Sequence, residues 1–266
     1  MRRFGLTGVV GAVLVLVVLT VALAGPMLAP HGATDRVGRA FASPGAQAWL
    51  GTDHLGRDVL SRVLHGGISI LLLSVIALGL AYLVGGAIGL AAAVSRGVLD
   101  AVLMRPLDLL LALPAFLVLA VLATGSGRGA VVVVAAVALG NVPGIARVVR
   151  AAGREVAVRG WVEMAHARGE RRVAIARREV LPNIVPALLA DAGVRATAVI
   201  GLVGTANFLG LGLQPPLADW ALMVAENRSG MTLQPWAVLA PAGCIALLAI
   251  GINLIADALA RPRTQS

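Results

Sequence analysis

Long apolar runs alternate with shorter polar segments along the chain. Each run is about as long as the ~20 residues that cross the hydrocarbon core of a bilayer. Backbone groups in lipid must pair within their own segment, so each run is predicted to be a helix. The six predicted spans are roughly Leu6–Ala24, Ile68–Val94, Leu107–Ala123, Ala130–Val149, Ala187–Leu209 and Ala237–Leu259. The pattern therefore predicts an all-α membrane protein with about six transmembrane helices.

Composition supports this class. Of the 266 residues, 59% are hydrophobic and only 13% are charged, more apolar surface than one soluble core could bury. Three regions are predicted: an N-terminal helix in 1–29, an outer segment in 30–66, and a core of five helices in 67–266. The core includes a large inner loop at about 150–183.

The first run has a second interpretation. Arg2 and Arg3 precede it and it ends in Ala22-Leu23-Ala24, as a secretory signal with an A-x-A cleavage site would. The run is longer than the ~7–15 residues of a signal core, which favours an uncleaved first helix.

The placement of arginine predicts the orientation. All 22 basic residues are arginine, and cytoplasmic loops carry an excess of such charge. With the N-terminus inside, fifteen lie on the inner side: Arg2, Arg3, Arg96, Arg105, Arg147, Arg150, Arg154, Arg159, Arg168, Arg171, Arg172, Arg177, Arg178, Arg261 and Arg263. Six lie outside: Arg36, Arg39, Arg57, Arg62, Arg128 and Arg228. The remaining one, Arg195, lies within the predicted fifth span. We expect a multi-pass protein of the cytoplasmic (inner) membrane with both termini cytoplasmic.

The absence of lysine excludes one mechanism. A Walker A loop needs a lysine to reach the terminal phosphates of the nucleotide, so any ATP-driven work must come through another polypeptide. The basic composition alone would also suit a nucleic-acid partner. Membrane topology explains the arginines better, and no nucleic-acid partner is expected.

Cysteine and histidine offer no further chemistry. Cys244 is the single cysteine and lies in an apolar run, so an internal disulfide is impossible. The four histidines are scattered without metal-ligand spacing: His31, His54, His65 and His166. We expect no metal site and no catalytic residue.

The inner loop is predicted to fold as helix, break, helix. Ala146–Arg168 is rich in helix formers, with Arg159 and Glu163 at i,i+4. Gly169 supplies a flexible or left-handed break. A second helix is expected to start at Glu170 and to stop before Pro182.

This loop carries Glu163-Met164-Ala165, then Gly169 and Leu181-Pro182. It resembles the EAA loop of binding-protein-dependent ABC importers, whose pattern is Glu-Ala-Ala, three residues, Gly and a downstream Leu-Pro; Met164 departs from it conservatively. The resemblance implies a short helix that docks on an ATPase subunit and transmits its closure to the pore. The coupling residues it implies are Trp161, Glu163, Met164, Ala165, Arg168, Gly169, Leu181 and Pro182. The alternative is a solvated, arginine-rich loop of no special role.

Two further motifs narrow the resemblance. Gly51–Arg62 is similar to the GTDxLGRDxxSR element of the dipeptide/oligopeptide/nickel branch, and Phe208–Pro216 with Trp220 is similar to its FLGLGxQPPxxxW element. Together the matches cover nearly the whole chain and point to the C-type permease subunit. The residues that carry the first motif are Gly51, Thr52, Asp53, Gly56, Arg57, Asp58 and Arg62.

Both motifs are predicted to lie outside, beyond the reach of an ATPase. In the first, the pairs Asp53/Arg57 and Asp58/Arg62 have i,i+4 spacing suited to one helix. It is interpreted as a structural cap before the second span or, alternatively, as a surface for an external binding protein. In the second, the glycines and Pro215-Pro216 would end a helix and redirect the chain; contact with a pore gate is the alternative. Its candidate residues are Phe208, Gly210 and Gly212.

The fifth span combines small and charged residues. Gly193, Thr197, Gly201 and Thr205 recur every four residues, which suits either internal packing or contact with a partner permease at the pore. Gly85 and Gly89 repeat this device more weakly in the second span. Asp191 and Arg195 are expected to form a local ion pair or, alternatively, to contact substrate.

The resemblance implies the type I ABC importer permease fold and a role in importing di- and oligopeptides. It implies four kinds of partner: a second, B-type permease, one or two ABC ATPase subunits that bind ATP and Mg, an external substrate-binding protein and the bilayer. Nickel, glutathione and haem are alternative cargoes. An ATP-independent secondary transporter is the rival class, but it needs intramembrane carboxylates and usually internal repeats. A membrane-embedded assembly scaffold is a third alternative.

Overall fold

A computed structural model describes residues 6–95 and 97–260. This part is mainly helical and contains no strand, although three isolated β-bridges lie between residues 36 and 58. The α-helices are α1 (Leu6–Leu28), α2 (Val59–Ala93), α3 (Val98–Leu111), α4 (Ala115–Gly125), α5 (Ala130–Ala157), α6 (Gly160–Ala167), α7 (Arg172–Ile175), α8 (Leu181–Phe208), α9 (Trp220–Asn227) and α10 (Trp236–Ala260). A π turn (Ala176–Val180) joins α7 to α8, and a short 3₁₀ turn (Arg228–Gly230) follows α9.

Five of the described helices are long and apolar enough to cross a membrane. They are α1, α2, α5, α10 and the continuous helix Arg172–Phe208. The predicted straight span Leu107–Ala123 is wrong, because α3 and α4 meet at an angle of 87°. Pro114 explains the break, since its ring keeps Leu113 out of the helical region and cannot donate a backbone hydrogen bond. The described part therefore has five spans, or six if the bent pair counts as one.

The second span begins earlier than predicted. Helix α2 starts at Val59, where Asp58 caps it by accepting a hydrogen bond from Ser61 N at 3.0 Å. Its first turns carry Ser61, Arg62 and His65, so no apolar run marks them. The segment before it therefore ends at 58 rather than 66.

The predicted stop before Pro182 is also wrong. Helix α7 starts at Arg172 rather than Glu170 and continues through the π turn into α8. In that turn Leu181 N–H bonds to Ala176 O, a wider spacing than the α-helical one. This lets the chain pass Pro182 without a break.

Glycines set the closest contacts of the central helix α2. A Cβ on Gly85 would stand 2.7 Å from the Val142 carbonyl oxygen, and one on Gly89 would collide with the Ala146 carbonyl. Backbone can approach this closely only where the side chain is absent. Gly85 and Gly89, the weaker small-residue pair of the sequence analysis, thus let α2 pack closely against α5.

The buried apolar residues form two clusters, one at each end of the bundle. We name the ends after the predicted orientation. The outer cluster surrounds Trp220 and Ile70, beneath residues 29–58 and 209–235, which we call the outer cap. The inner cluster surrounds Ile145 and Val162, beside residues 158–180, which we call the inner segment.

Candidate functional site

Helix α6 is isolated between two breaks in the inner segment. Before it, Arg159 is extended, and after it Gly169 has a φ of +77°. The break is closed by backbone bonds from Gly169 N to His166 O at 3.0 Å and from Glu170 N to Ala165 O at 3.2 Å. This is the C-terminal turn that glycine favours, because its left-handed backbone carries no Cβ penalty.

The two faces of α6 have different surroundings. Val162 and Ala165 are fully buried in the inner cluster, whereas Trp161 and Met164 are 46% and 63% exposed. Glu163 is exposed as well. The helix is therefore anchored along one side and presents large apolar side chains on the other, a pattern that marks a contact surface.

The charges around α6 do not pair as predicted. Arg159 does not form an ion pair with Glu163, because Arg159 precedes the helix and is extended. It lies instead 3.8 Å from Glu155, and its guanidinium is 5.8 Å from the centre of the Trp161 ring. Arg168 forms an ion pair with Glu170 at 2.7 Å across the Gly169 turn.

Leu181 and Pro182 lie at the junction with α8, with Leu181 half-buried against the inner cluster and Pro182 exposed. The next residue, Asn183, lines a cleft of about 280 Å³ together with Arg159 and Trp161. Residues next to the two halves of the EAA-like pattern thus meet in one cleft, although Glu163, Gly169 and Leu181 do not line it.

At the opposite end, the outer cap contains a buried ionic cluster. Asp53 Oδ2 accepts hydrogen bonds from Arg57 Nε at 2.6 Å and from Arg62 Nη1 at 2.8 Å. Arg62 Nη1 also lies 2.7 Å from Glu226 Oε2, and Arg57 Nη2 lies 3.4 Å from it. The side chains of Asp53 and Arg62 are completely buried. We call these four residues the cap cluster.

The cap cluster contains one predicted pair, Asp53 with Arg57, and corrects the other. Residues 51–58 form a loop rather than a helix, so only Arg62 lies in α2. Asp58 does not pair with Arg62; it caps α2 instead. The interpretation as a structural cap before the second span agrees with this geometry.

Backbone geometry holds Asp53 ionised. Burial raises the pKa of this carboxyl, but hydrogen bonds from Arg57 N and Leu55 N and the charge of Arg57 outweigh it and leave the pKa below its ordinary value. Two glycines shape the loop: Gly51 and Gly56 have φ of +72° and +79°, and a Cβ on either would collide with Gln234 or Gly38. Thr52 Oγ1 accepts a bond from Ala42 N at 2.8 Å and so ties the loop to the preceding chain.

The second motif closes the cap from the other side. Helix α8 ends at Phe208, before Gly210 with its φ of +68°, so Pro215-Pro216 redirect the loop but do not end the helix. Asn207 Oδ1 accepts a bond from Leu213 N at 3.1 Å, and Gly212 packs against the same side chain. Phe208 is half-buried.

Trp220 and its neighbour Asp219 lock the motif onto α2. Trp220 is fully buried and its Nε1–H donates to Val63 O at 2.7 Å. Asp219 accepts bonds from the α9 backbone and from Ser69 Oγ at 2.7 Å. Burial raises the pKa of Asp219.

The structure joins motifs that the sequence analysis treated separately. Glu226 links the cap cluster to α9, Asn227 Oδ1 accepts a bond from His54 N at 3.0 Å, and Gln234 Nε2 donates to Ala42 O at 3.0 Å. Sequence reasoning missed these three partners. Glu226 stands alone in an apolar helix, which is the one signal that could have drawn attention to it.

Within the membrane region, Arg195 Nε lies 2.7 Å from Asp191 Oδ2, as the local ion-pair interpretation predicts. Tyr82 Oη, which was not foreseen, also donates to Asp191 at 2.5 Å. In the small-residue row, Thr197 lies 3.5 Å from Asn253, and Gly193 packs loosely on α10. Gly201 and Thr205 are exposed, and a Cβ on Gly201 would meet nothing within 4 Å.

Other carboxylates of the inner half pair with arginine. Asp108 lies 2.6 Å from Arg147, and Asp100 lies 2.6 Å from Arg150 and 2.8 Å from Arg154. Among the described residues, no group of three His, Cys, Asp or Glu side chains could hold a metal ion.

Comparison with known proteins places this geometry in context. A family model described as "Binding-protein-dependent transport system inner membrane component" matches residues 85–264. The chain is 32% identical over 253 residues to a probable D,D-dipeptide transport system permease protein of Escherichia coli, covering 94% of this chain and 85% of that protein. It is 31% identical to a glutathione transport system permease protein of Pectobacterium atrosepticum, covering 94% of this chain and 84% of that one.

A putative peptide permease protein of Brucella abortus is 34% identical, with 94% of this chain and 83% of that protein covered. Among solved structures, an inward-facing MetNI methionine ABC transporter matches with a TM-score of 0.56 at 18% identity, covering 76% of this chain and 97% of that chain. This structural likeness concerns the fold.

Proposed function

Since the chain belongs to the family of binding-protein-dependent transport system inner membrane components and is a permease subunit of an ABC importer, we propose that it moves short peptides across the cytoplasmic membrane together with a second permease. Its relatives are permease components rather than ATPases. The chain is a multi-pass inner-membrane protein and a transport subunit, not an enzyme.

The observation that carries the proposal is the two-sided character of α6. Its buried side, Val162 and Ala165, packs in the inner cluster together with residues of α5 and α8. Its exposed side offers Trp161 and Met164 to a partner. A partner that pushes on this helix would shift the membrane helices, whereas a flexible loop would absorb the displacement. We assign the partner as an ATPase subunit that holds ATP and Mg.

The orientation follows from charge. The stretch 147–178, which includes most of the inner segment, carries nine of the 22 arginines, and this excess favours the cytoplasmic side for this end and for both termini. The outer cap then faces the side from which a substrate-binding protein would deliver cargo. Its exposed apolar side chains, among them Trp49, Leu55 and Leu217, would be available to that protein.

The second permease is assigned to the open face of α8. Gly201 and Thr205 are small and exposed, and a Cβ on Gly201 would meet nothing within 4 Å, so the backbone of another helix could approach there. The other half of the row, Gly193 and Thr197, faces α10. One half of the row would thus serve internal packing and the other half contact with the partner permease.

The peptide cargo rests on the relatives. Two of those described above are named for D,D-dipeptide or peptide transport, and a third is named for glutathione. The paired state of Asp191 and Arg195 argues against a free carboxylate for ion coupling and so against the secondary transporter.

The test is uptake by the reconstituted transporter. Proteoliposomes would contain this chain, its second permease and its ATPases, with the binding protein added outside. Labelled dipeptide should enter only with ATP in the lumen, where the ATPases face it. ATP-independent uptake would contradict the importer assignment, and uptake of glutathione, Ni²⁺ or haem with no uptake of peptide would contradict the peptide cargo.

A further inference from the structure

A groove runs along the inner half of α2, between this helix and the start of the helix Arg172–Phe208. The cavity is about 650 Å³ in volume. Its walls are almost wholly apolar, and they include Tyr82, Leu83, Leu90, Val94, Val173 and Leu188. Leu83 and Val173 are 71% and 79% exposed, so nothing in the described part of the chain covers the groove.

The dimensions of the groove suit an extended hydrocarbon chain. From Tyr82 to Ser95 the α2 wall rises ~20 Å at 1.5 Å per residue. One or two extended acyl chains fit a groove of this length and volume.

Two arginines line the inner end of the groove. Arg172 and Arg177 both contribute to its lining, and neither forms an ion pair with any residue that the structure describes. Their neighbours Arg171 and Arg178 are also exposed but do not line the groove. A pair of guanidinium groups beside an apolar channel is complementary to a phosphate attached to a hydrocarbon tail.

We propose that this groove binds one anionic phospholipid of the cytoplasmic leaflet. The phosphate lies against Arg172 and Arg177, and an acyl chain follows α2 as far as Tyr82. The proposal rests on the inside orientation of the inner segment given above, since the cytoplasmic leaflet is where juxtamembrane arginines meet anionic lipid. Because α7 follows the Gly169 turn directly, the lipid would brace the inner segment against α2.

The first experiment measures lipid retention by the complete transporter. The complex would be reconstituted in phosphatidylcholine vesicles that contain a minor fraction of phosphatidylglycerol, extracted in detergent, and analysed by mass spectrometry. We expect one retained phosphatidylglycerol per copy of this chain. The double variant Arg172→Ala/Arg177→Ala should reduce the affinity about 30-fold, whereas Arg171→Ala/Arg178→Ala should retain the lipid.

Equal loss in both double variants would mean a diffuse charge effect and would overturn the site. Displacement of the lipid by inorganic phosphate would also overturn it, since the acyl chain would then contribute nothing. Absence of phosphatidylglycerol from the wild-type complex, as when a partner subunit covers the groove, would contradict the proposal outright.

A second pair of variants tests the groove itself. Gly86 lines it, and a Cβ there would meet nothing within 4 Å, so Gly86→Leu should fill the space without disturbing the fold. Gly79 on the same helix also has open space but does not line the groove, so Gly79→Leu is the matched control. Loss of the lipid with Gly86→Leu alone supports the site, and retention in both variants overturns it.

Peptide uptake measured in the same vesicles separates this proposal from the proposed function. Lipid retained by a complex without ATP-driven uptake would leave the groove standing and the function refuted. Uptake without any retained lipid would refute the lipid site and leave the proposed function standing.

Discussion

The outer cap and the inner segment both contain paired arginines and carboxylates, but the pairs are buried in the cap and exposed in the inner segment. In the cap, Asp53, Arg57, Arg62 and Glu226 are buried and bonded to one another across two distant parts of the chain. In the inner segment, charges lie at the surface in short-range pairs such as Arg168 with Glu170. The cap is therefore fixed by many mutually dependent bonds, while α6 is held mainly by its buried apolar side. One end of the molecule is built as a scaffold and the other as a contact surface.

This difference predicts where substitution costs stability and where it costs function. A buried ion pair that loses one partner leaves an uncompensated charge, whereas an exposed pair contributes little. Changes in the cap should therefore reduce folding, and changes in α6 should leave a folded protein that transports poorly.

The largest effect is expected from Arg62→Ala. It leaves the neighbouring carboxylates of Asp53 and Glu226 with Arg57 as their one shared partner in the cluster, which should destabilise the cap by about 3–5 kcal/mol. The measurement is the thermal stability and yield of the purified complex. Arg228→Ala, at an exposed outer arginine, is the control and should change neither. An unchanged melting temperature for Arg62→Ala would show that the cluster does not hold the cap.

The next effect concerns Gly169. Proline cannot adopt its φ of +77°, so Gly169→Pro should abolish the turn that isolates α6, at a local cost of about 1–3 kcal/mol. We expect normal membrane insertion, ATP hydrolysis that no longer responds to substrate, and little or no uptake. Gly160→Ala, at a glycine in α6 with open space and ordinary φ, should transport normally. Normal uptake by Gly169→Pro would refute the coupling role.

A smaller effect is expected at the exposed face of α6. Trp161→Ala/Met164→Ala removes the apolar side chains offered to the ATPase and should weaken its binding by about 30-fold or more, as contact residues of this kind do. Copurification and titration of the ATPase measure this. Leu233→Ala, at a side chain 69% exposed on the outer cap, is the matched control. ATPase affinity that is equal in both variants would place the contact elsewhere.

The smallest effect is the pH dependence of cap stability. The pKa of Asp53 is lowered in the folded state, so its contribution is present at neutral pH and is lost as pH falls below about 4. Burial raises the pKa of Asp219, so protonation of that group favours the folded state and stability should first rise slightly on mild acidification. Melting temperatures measured from neutral pH to below pH ~4 should pass through a shallow maximum. Asp219→Asn should remove the rise and keep the fall; persistence of the rise would contradict its assignment.

Some of this architecture was predictable from the sequence, because apolar runs and arginine placement are local signals. The spans, the break at Gly169 and the cap role of the first motif all follow from residues that act near their own position. The bend at Pro114 was missed because the apolar run continues through it. The helix through Pro182 was missed because a π turn leaves no trace in composition.

The cap cluster shows why the rest could not be predicted. Arg62 pairs with Asp53 in a loop and with Glu226 more than 160 residues away, and helical spacing suggested Asp58 instead. Tyr82 in α2 likewise donates to Asp191 in α8, a partner far away in the sequence. Tertiary packing determines such partners, so they cannot be predicted from the spacing of residues along one helix.

The central claim is that an ATPase on the cytoplasmic side contacts the exposed face of α6. The direct measurement is labelling of a Met164→Cys variant with a membrane-impermeant maleimide, in a Cys244→Ser background that removes the native thiol. The variant should react in inside-out vesicles, not in intact cells, and should be protected when the ATPase is bound. Labelling from outside the cell, or labelling from inside that the bound ATPase leaves unchanged, would contradict the account.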